Sequence, residues 1–520
     1  MNIFKKTFNK IRTLGYLFQL SVPDKKFINF ALKKWKKSNN IEPEGEILID
    51  QMFYDIYIFQ LSYITNYLQI KHNLHLKHYH LIPREKILLS KFFKYFRKYS
   101  RINRVYESFG SSYAFGQTYF KESEKICEHL NFTSKRELLN YKLENILIGD
   151  LIYDTYLRTY VQPTIDFEDP RFKLVVLNAH DIFFSCKNYL DTKKVKKIIV
   201  SHSVYIQYGI LARLALSRGI DVYNALNFER TLKKLSLDHH LPTPRHHLYP
   251  SLFEVQKNQE KLREKARVVL EKRLNGEIDR GIKYMSSSSY ADREYTEEKL
   301  FLNNGKPKVV MMLHCFYDAP HTYRHMLFED FYEWVVFVFN KAKSLNIDLI
   351  VKPHPNGKEF NEEIIKNLNK KHPHIRIINK NVSNKQIISE KPDLLLTVNG
   401  TVVHEFAYHG IKVLVAGDHP GFEYNFSKCP ETISEYAYYL EHPEKLKINI
   451  DKSEIEEFFY MHYLSTGFGR IKGNNDIFHS RRRNYSSENN DIYLELVKDA
   501  EEGLFDNAFT SYDEAFSQVD

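Results

Sequence analysis

Asp348-Leu349-Ile350-Val351-Lys352-Pro353-His354-Pro355 is the stretch on which the fold turns. Its apolar run, Asp348–Val351, predicts a strand that passes directly into a cation, two prolines and an imidazole. The prolines fix the backbone and remove two N–H groups, which leaves a stiff loop presenting Lys352 and His354. A cation beside an imidazole suits a phosphate or pyrophosphate; the plainer reading is a structural turn with a solvated lysine. Short apolar runs of the same kind recur at Lys308–Leu313, Ile375–Ile378, Leu394–Val398 and Val413–Ala416. Helical patterns lie between them, notably Phe331–Leu345 and Glu359–Lys371. Strands alternating with helices predict a parallel, Rossmann-like domain over residues 300–445.

Ligands of such sheets bind beyond the carboxyl ends of the strands, so the polar segments there are the candidate site. Asn399-Gly400-Thr401 follows one strand and precedes a helical pattern, Val402–His409. Gly400 would let backbone approach a ligand, and the helix start would offer free N–H groups to an anion. Thr401 could cap that helix or bind phosphate. Glu405, one turn on, could accept from a ribose or simply favour the helix dipole. A third segment, His314-Cys315-Phe316-Tyr317-Asp318-Ala319-Pro320-His321, follows Lys308–Leu313. Its His314, Asp318 and His321 are acid/base or phosphate-contact candidates. With His325 they resemble a metal cluster, but their spacing fits no metal signature, so neither metal nor cofactor is expected. Gly417-Asp418-His419-Pro420 is a lesser member of the same edge.

In the first half, strands are expected at Glu46–Asp50, Arg104–Ser108, Asn145–Ile148, Leu174–Asn178, Lys197–Ser201 and Asp221–Tyr223, and a helix at Ile210–Ser217. This reads as a second Rossmann-like domain, residues 41–290, carrying the acceptor side and a catalytic base. Asp150, His180 and His202 are the expected bases, with Asp154 a further candidate; for each alone a capping or core role is as good a reading. Gln256–Arg280 reads as a long exposed helix, Ser286–Ser289 and Asn303–Gly305 as a linker, residues 446–497 as a helical return segment, and 498–520 as a loosely held acidic tail.

The 520 residues suffice for two or three domains, and 43% hydrophobic with 27% charged residues is ordinary for a folded chain. The net charge of +10 is uneven: residues 1–40 carry ten Lys/Arg against Asp24, and the last 23 residues carry seven acids against Lys498. Phe4, Phe8, Ile11, Leu14 and Phe18 sit among the N-terminal charges at helical spacing, so residues 1–40 suit an anionic membrane surface or the protein's own body. No recognised nucleic-acid module is present, which argues against a nucleic-acid partner. Cys127, Cys186, Cys315 and Cys429 form no CxxC pair, and neither a signal peptide nor a membrane-spanning run is legible. A cytoplasmic protein, peripheral on the inner face of the cell membrane, fits these features.

The combination of Lys352–Pro355 with Asn399–Gly410 resembles the C-terminal domain of bacterial capsule and surface-polysaccharide biosynthesis proteins. Kdo-transferase-like enzymes are among these; polysialyltransferases and teichoic-acid glycerophosphotransferases are more distant. The resemblance covers about residues 308–421. It implies a GT-B-like α/β fold, two Rossmann-like domains with an inter-domain cleft. It also implies that His354 contacts the donor's phosphate, that Thr401 and its helix bind phosphate, and that Glu405 lies near the ribose. Asp318–His321 and Gly149–Arg158 look like segments of surface-polysaccharide proteins too, without adding chemistry. Asn399 and His404 depart from the family's usual residues. The expected activity is transfer of a sugar from a CMP-, UDP- or GDP-linked donor to a polysaccharide or glycolipid acceptor, without a metal. The alternatives are polyol-phosphate transfer from a CDP-activated donor and a non-catalytic glycan- or nucleotide-binding assembly protein at the inner membrane.

Overall fold

A computed structural model describes residues 20–35, 42–81, 89–225, 232–241, 246–279, 288–291, 298–302, 304–322, 325–355, 359–465 and 491–520, with backbone alone at 89–97 and 359. β1 (Glu46–Asp50), β2 (His75–His80) and β3 (Ser112–Gly116) begin the first sheet. β4 (Lys142–Leu143) and β5 (Ile146–Leu147) form a separate two-residue hairpin, and β6 (Val195–Val200), β7 (Asp221–Asn224) and β8 (Lys233–Lys234) complete the sheet in the order β3-β2-β1-β6-β7-β8. All of its pairs are parallel except β7 with β8. The second sheet contains β9 (Lys308–Met312), β10 (Asp348–Lys352), β11 (Arg376–Ile377), β12 (Leu394–Thr397) and β13 (Lys412–Val415) in the order β11-β10-β9-β12-β13, parallel throughout. These are two Rossmann-like units, the GT-B-like α/β fold.

Side chains alternate across the central strands β1, β6, β9, β10 and β12, and both faces of these are buried. Val309 and Met311 pack with Trp334, Val338, Ile364 and Leu368 from the helices Phe331–Ala342 and Glu359–Lys371. Val310 and Met312 face the other way, onto Ile387 and Phe406 from Asn384–Ser389 and Val402–Tyr408. The crossovers thus change face between β9 and β12. In the first sheet Ile47 and Ile49 pack under Asp55–His72, and Leu48 and Ile198 under Pro170–Thr192 and Ile206–Ser217, so its reversal lies between β1 and β6.

Several expectations need correction. Arg104–Ser108 and Leu174–Asn178 lie inside the helices Leu89–Ser108 and Pro170–Thr192. The second is a β-branched run overridden by an Asp169 cap, a Pro170 start and apolar residues at helical spacing, with Phe172, Val175, Val176 and Ala179 buried. Of Asn145–Ile148 only Ile146–Leu147 is a strand, in the hairpin whose turn residues Glu144 and Asn145 both have positive φ. β2 and β3 carry too many polar residues to be read from their sequence. Tyr249–Glu254 and Gln259–Leu274, drawn above with the first unit, bury Phe253, Ala266 and Leu270 in the second core.

The acidic C-terminus is not loose. Ile492–Glu501 and Ala508–Val519 bury Tyr493, Leu496, Tyr512 and Phe516 against Phe27, Phe59 and Tyr67 of the first unit. Of the basic segment, 1–19 and 36–40 lie outside the described residues; Val22–Lys34 packs on the protein's own body, with Phe27 stacked on Tyr493 at 4.5 Å. Residues 280–287 and Asn303 of the expected linker also lie outside the described residues. Among the described residues, no helix is long and apolar enough to cross a membrane. Phe516→Ala should cost about 3–5 kcal/mol of stability, the range for deleting a buried aromatic, measured as a lower midpoint for the first unit in urea. A loosely held tail would leave the midpoint unmoved.

Candidate functional site

The reversal between β9 and β12 leaves a crevice at the carboxyl edge of the second sheet. His314 follows β9 and stacks on Phe331, ring centroids 4.9 Å apart. Its Nε2 accepts from the backbone N–H of Asn399 at 3.4 Å and lies 3.3 Å from Thr397 Oγ1. Gly400 stands beside it, where a Cβ would meet His314 Cε1 at 3.7 Å. The Asn399 side-chain nitrogen is buried with no hydrogen-bond partner among the described residues. Thr401 does not cap the helix; its hydroxyl bonds to Glu405 instead. That helix is only seven residues long, so its dipole is a small contribution.

Lys352 ends β10 at 3% exposure and donates from Nζ to Asn384 Oδ1 at 2.6 Å. Burial depresses its pKa to about 7, with Glu405 opposing. His354 is half-buried; burial and then the Lys352 charge lower it to about 4. His314 is lowered to about 3, by burial and then by His354. Lys352 thus feels the charge of Glu405, His354 that of Lys352, and His314 that of His354. Glu405 accepts from Tyr290 at 3.0 Å and lies 3.6 Å from Arg273, a fully buried residue that also bonds Asp279. The Arg273 guanidinium sits over Tyr463 at 4.3 Å and Phe459 at 4.7 Å. Burial raises the Glu405 pKa and Arg273 pulls it back. The carboxylate thus already has three protein partners, Tyr290, Thr401 and Arg273.

The first unit's expected bases separate. Asp150 makes a two-point pair with buried Arg213, at 2.6 and 2.5 Å. Burial raises its pKa but Arg213 outweighs this and holds it below the usual carboxylate range, which makes Asp150 a poor base. His180 is fully buried, with Nδ1 on Val176 O and Nε2 on Tyr141 OH, both at 2.8 Å. In both, packing engages the groups that proton transfer would need. His202 does lie at its sheet's reversal, with Nδ1 2.9 Å from Ser201 Oγ. Ser201 in turn donates to Asp50, at the end of β1, whose pKa burial lifts to about 6 with Ser201 opposing.

Two segments singled out above meet between the units. His321 Nδ1 lies 2.6 Å from Asp154 Oδ1, and Tyr153 packs edge-on to the His321 ring at 4.8 Å. Arg158 lies 3.6 Å from Asp318, which is exposed, and covers Tyr317 at 5.5 Å. Asp330 caps the helix Phe331–Ala342 and accepts from Tyr153 and Thr164, each at 2.5 Å. Gly149 starts the Asp154 helix against Leu138, whose carbonyl oxygen a Cβ would meet at 1.7 Å, so only glycine fits. His314, Asp318 and His321 thus point to different partners, and no group of three His, Cys, Asp or Glu among the described residues could hold a metal. Arg273, Tyr290, Asn384, Asp330 and Asp50 were not foreseen. Only Asp330, followed three residues later by Glu333 before an apolar helix, carries a sequence signal.

No protein-family model matches the chain, and no curated protein matches it. Among solved structures it is similar to the β-Kdo 2,7 transferase KpsC of Thermosulfurimonas dismutans, at 16% identity over 59% of this chain and 90% of that one, TM-score 0.30. It is also similar to the UDP-GlcNAc 2-epimerase of Methanocaldococcus jannaschii, at 12% identity over 79% and 97%, TM-score 0.25. A third is the wall teichoic acid polymerase TagF, at 11% identity over 97% and 98%, TM-score 0.17. Likenesses this distant add nothing to the fold read from the two sheet orders.

Removing Arg273 leaves Glu405 and Asp279 buried without their cation. Arg273→Met should cost about 3–5 kcal/mol in chemical denaturation, and adding Glu405→Gln should restore part of it. Equal losses in the single and double variants would show that the pair is not coupled.

Proposed function

We propose that the chain is a glycosyltransferase that moves a sugar from a nucleotide-sugar donor to a growing surface polysaccharide or glycolipid. The carrying observation is the second sheet's reversal, where one strand end carries Lys352 and His354 and two others carry His314, Asn399 and Gly400, with His314 held against Asn399 and Gly400. A buried lysine without a full counter-charge and an unpartnered buried amide are unfavourable by themselves. A donor phosphate would satisfy both. During transfer the bond from the anomeric carbon to the phosphate oxygen breaks, and negative charge grows on that oxygen. Lys352, His354 and the Asn399 amide are then preorganised donors aimed at the developing charge. Lys352 supplies the cation, so this reading needs no metal ion at that oxygen. The donor can be CMP-, UDP- or GDP-linked. The acceptor occupies the first-unit side, and closure of the units would exclude water.

His354→Ala should reduce transfer about 10²–10³-fold while circular dichroism and thermal midpoint stay at wild-type values; undiminished turnover would rule the reading out. A thermal-shift series with CMP, CDP, UDP and GDP should single out one nucleotide, because a ligand that binds only the folded state raises its stability. A phosphodiester product in place of a glycoside would redirect the assignment to polyol-phosphate transfer.

Lys352 gives a pH signature. Its pKa near 7 leaves it partly neutral at mildly alkaline pH, and a bound phosphate restores the charge. Nucleotide binding should therefore take up protons and weaken as the pH rises above about 7. Calorimetry in buffers of different ionisation enthalpy measures the uptake, and Lys352→Met should remove it.

A further inference from the structure

His180 has a partner on each ring nitrogen, whereas His80, His246, His404 and His321 each carry a buried ring nitrogen without one among the described residues. His321 is set apart by the carboxylate on its other nitrogen. Asp154 can only accept when ionised, so the short Nδ1 contact places a ring proton on Nδ1, and in the neutral ring the lone pair is then on Nε2. That Nε2 is buried and has no hydrogen-bond partner among the described residues. Burial works against the charged ring, but Asp154 outweighs it and holds the His321 pKa above its usual value.

The setting matches the chemistry. His321 is on the loop that leaves the crevice strand β9, and Asp154 is on a helix of the opposite unit. The other charged groups facing the ring are already engaged. Asp150 is neutralised by Arg213, and Asp330 by Tyr153, Thr164 and a lysine, Lys135, at 3.8 Å. Arg158 and Asp318 form the rim.

We propose that His321 Nε2 is the general base of the transfer and that Asp154 is its positioning residue. This rests on the glycosyltransferase reading. The acceptor O–H gives its proton to Nε2, the acceptor oxygen bonds to the anomeric carbon, and the bond from that carbon to the donor phosphate breaks. Its electron pair leaves with the nucleotide. Asp154 keeps Nδ1–H donating and stabilises the imidazolium that forms. Because Nε2 is covered, the acceptor reaches it through a small rearrangement of the loop or the two units, of the kind closing enzymes make.

The test uses the full chain and three variants, His321→Ala, His321→Gln and Asp154→Asn. Turnover is measured with a panel of CMP-, UDP- and GDP-sugars and oligosaccharide acceptors, and binding with CMP, UDP and GDP. Both His321 variants should lose about 10²–10⁴-fold in kcat with nucleotide affinity unchanged; His321→Ala, which leaves buried Asp154 without this partner, should also lower the thermal midpoint, and His321→Gln, which can still donate to Asp154, should keep it. Asp154→Asn should keep partial activity, and the acid limb of its kcat–pH profile should move to lower pH, because the carboxylate that raises the His321 pKa is gone. Wild-type kcat in His321→Gln would overturn the base, as would a kcat loss matched by lost nucleotide binding. An unmoved acid limb in Asp154→Asn would overturn the positioning role. Nucleotide binding without turnover in the wild type would instead sink the transferase reading, and the base with it.

Discussion

Parallel strands cannot be joined by tight turns, so each connection must cross back over one face of the sheet. In both units the crossovers run along one face, then change to the other, between β1 and β6 and between β9 and β12. At that change two neighbouring strand ends send their chains apart, which is where such sheets bind ligands. His314 and Asn399 flank it in the second unit, Asp50 and His202 in the first. The location of every group discussed above follows from this one constraint.

Charge burial is the second organising cost. Lys352, Glu405, Arg273 and Asp279 are brought into a low-dielectric interior where unpaired ions are strongly disfavoured. Arg273 meets this by facing two carboxylates under two aromatic rings, whereas Lys352 meets it by losing part of its charge. The difference separates a group that supports the site from one poised to change state when an anion arrives. Across the units, Asp330 does three things at once. It caps a helix of the second unit and accepts from both Tyr153 and Thr164 of the first.

How much was legible depended on how each element is buried. Four strands of the second unit could be read because both their faces are covered and each is a nearly unbroken apolar run; the edge strand Arg376–Ile377 was legible from the apolar residues around Arg376. In the first unit, Leu174–Asn178 imitates a strand locally and becomes helix only through its cap and its packing. His75–His80 alternates histidine with apolar residues and gave no such signal. The last helices were hidden by their acids, which occupy one side while Leu496, Tyr512 and Phe516 occupy the other. In the site, Lys352–Pro355 and Asn399–Thr401 were visible because a proline-stiffened loop and a glycine at a strand end are local facts.

Sequence alone determined which segments are strands in the second unit, where its strands end, and that one such end presents a lysine and a histidine. These follow from periodicity and backbone restriction, which act over a few residues. Tertiary structure decided which acids and histidines remain available for chemistry. Asp150 was spent on Arg213, His180 on the core, and Asp154 was brought to His321 across 167 positions of chain. No local rule connects residues so far apart. Their pairing and proton affinities are set by packing and burial, which exist only once the chain has folded.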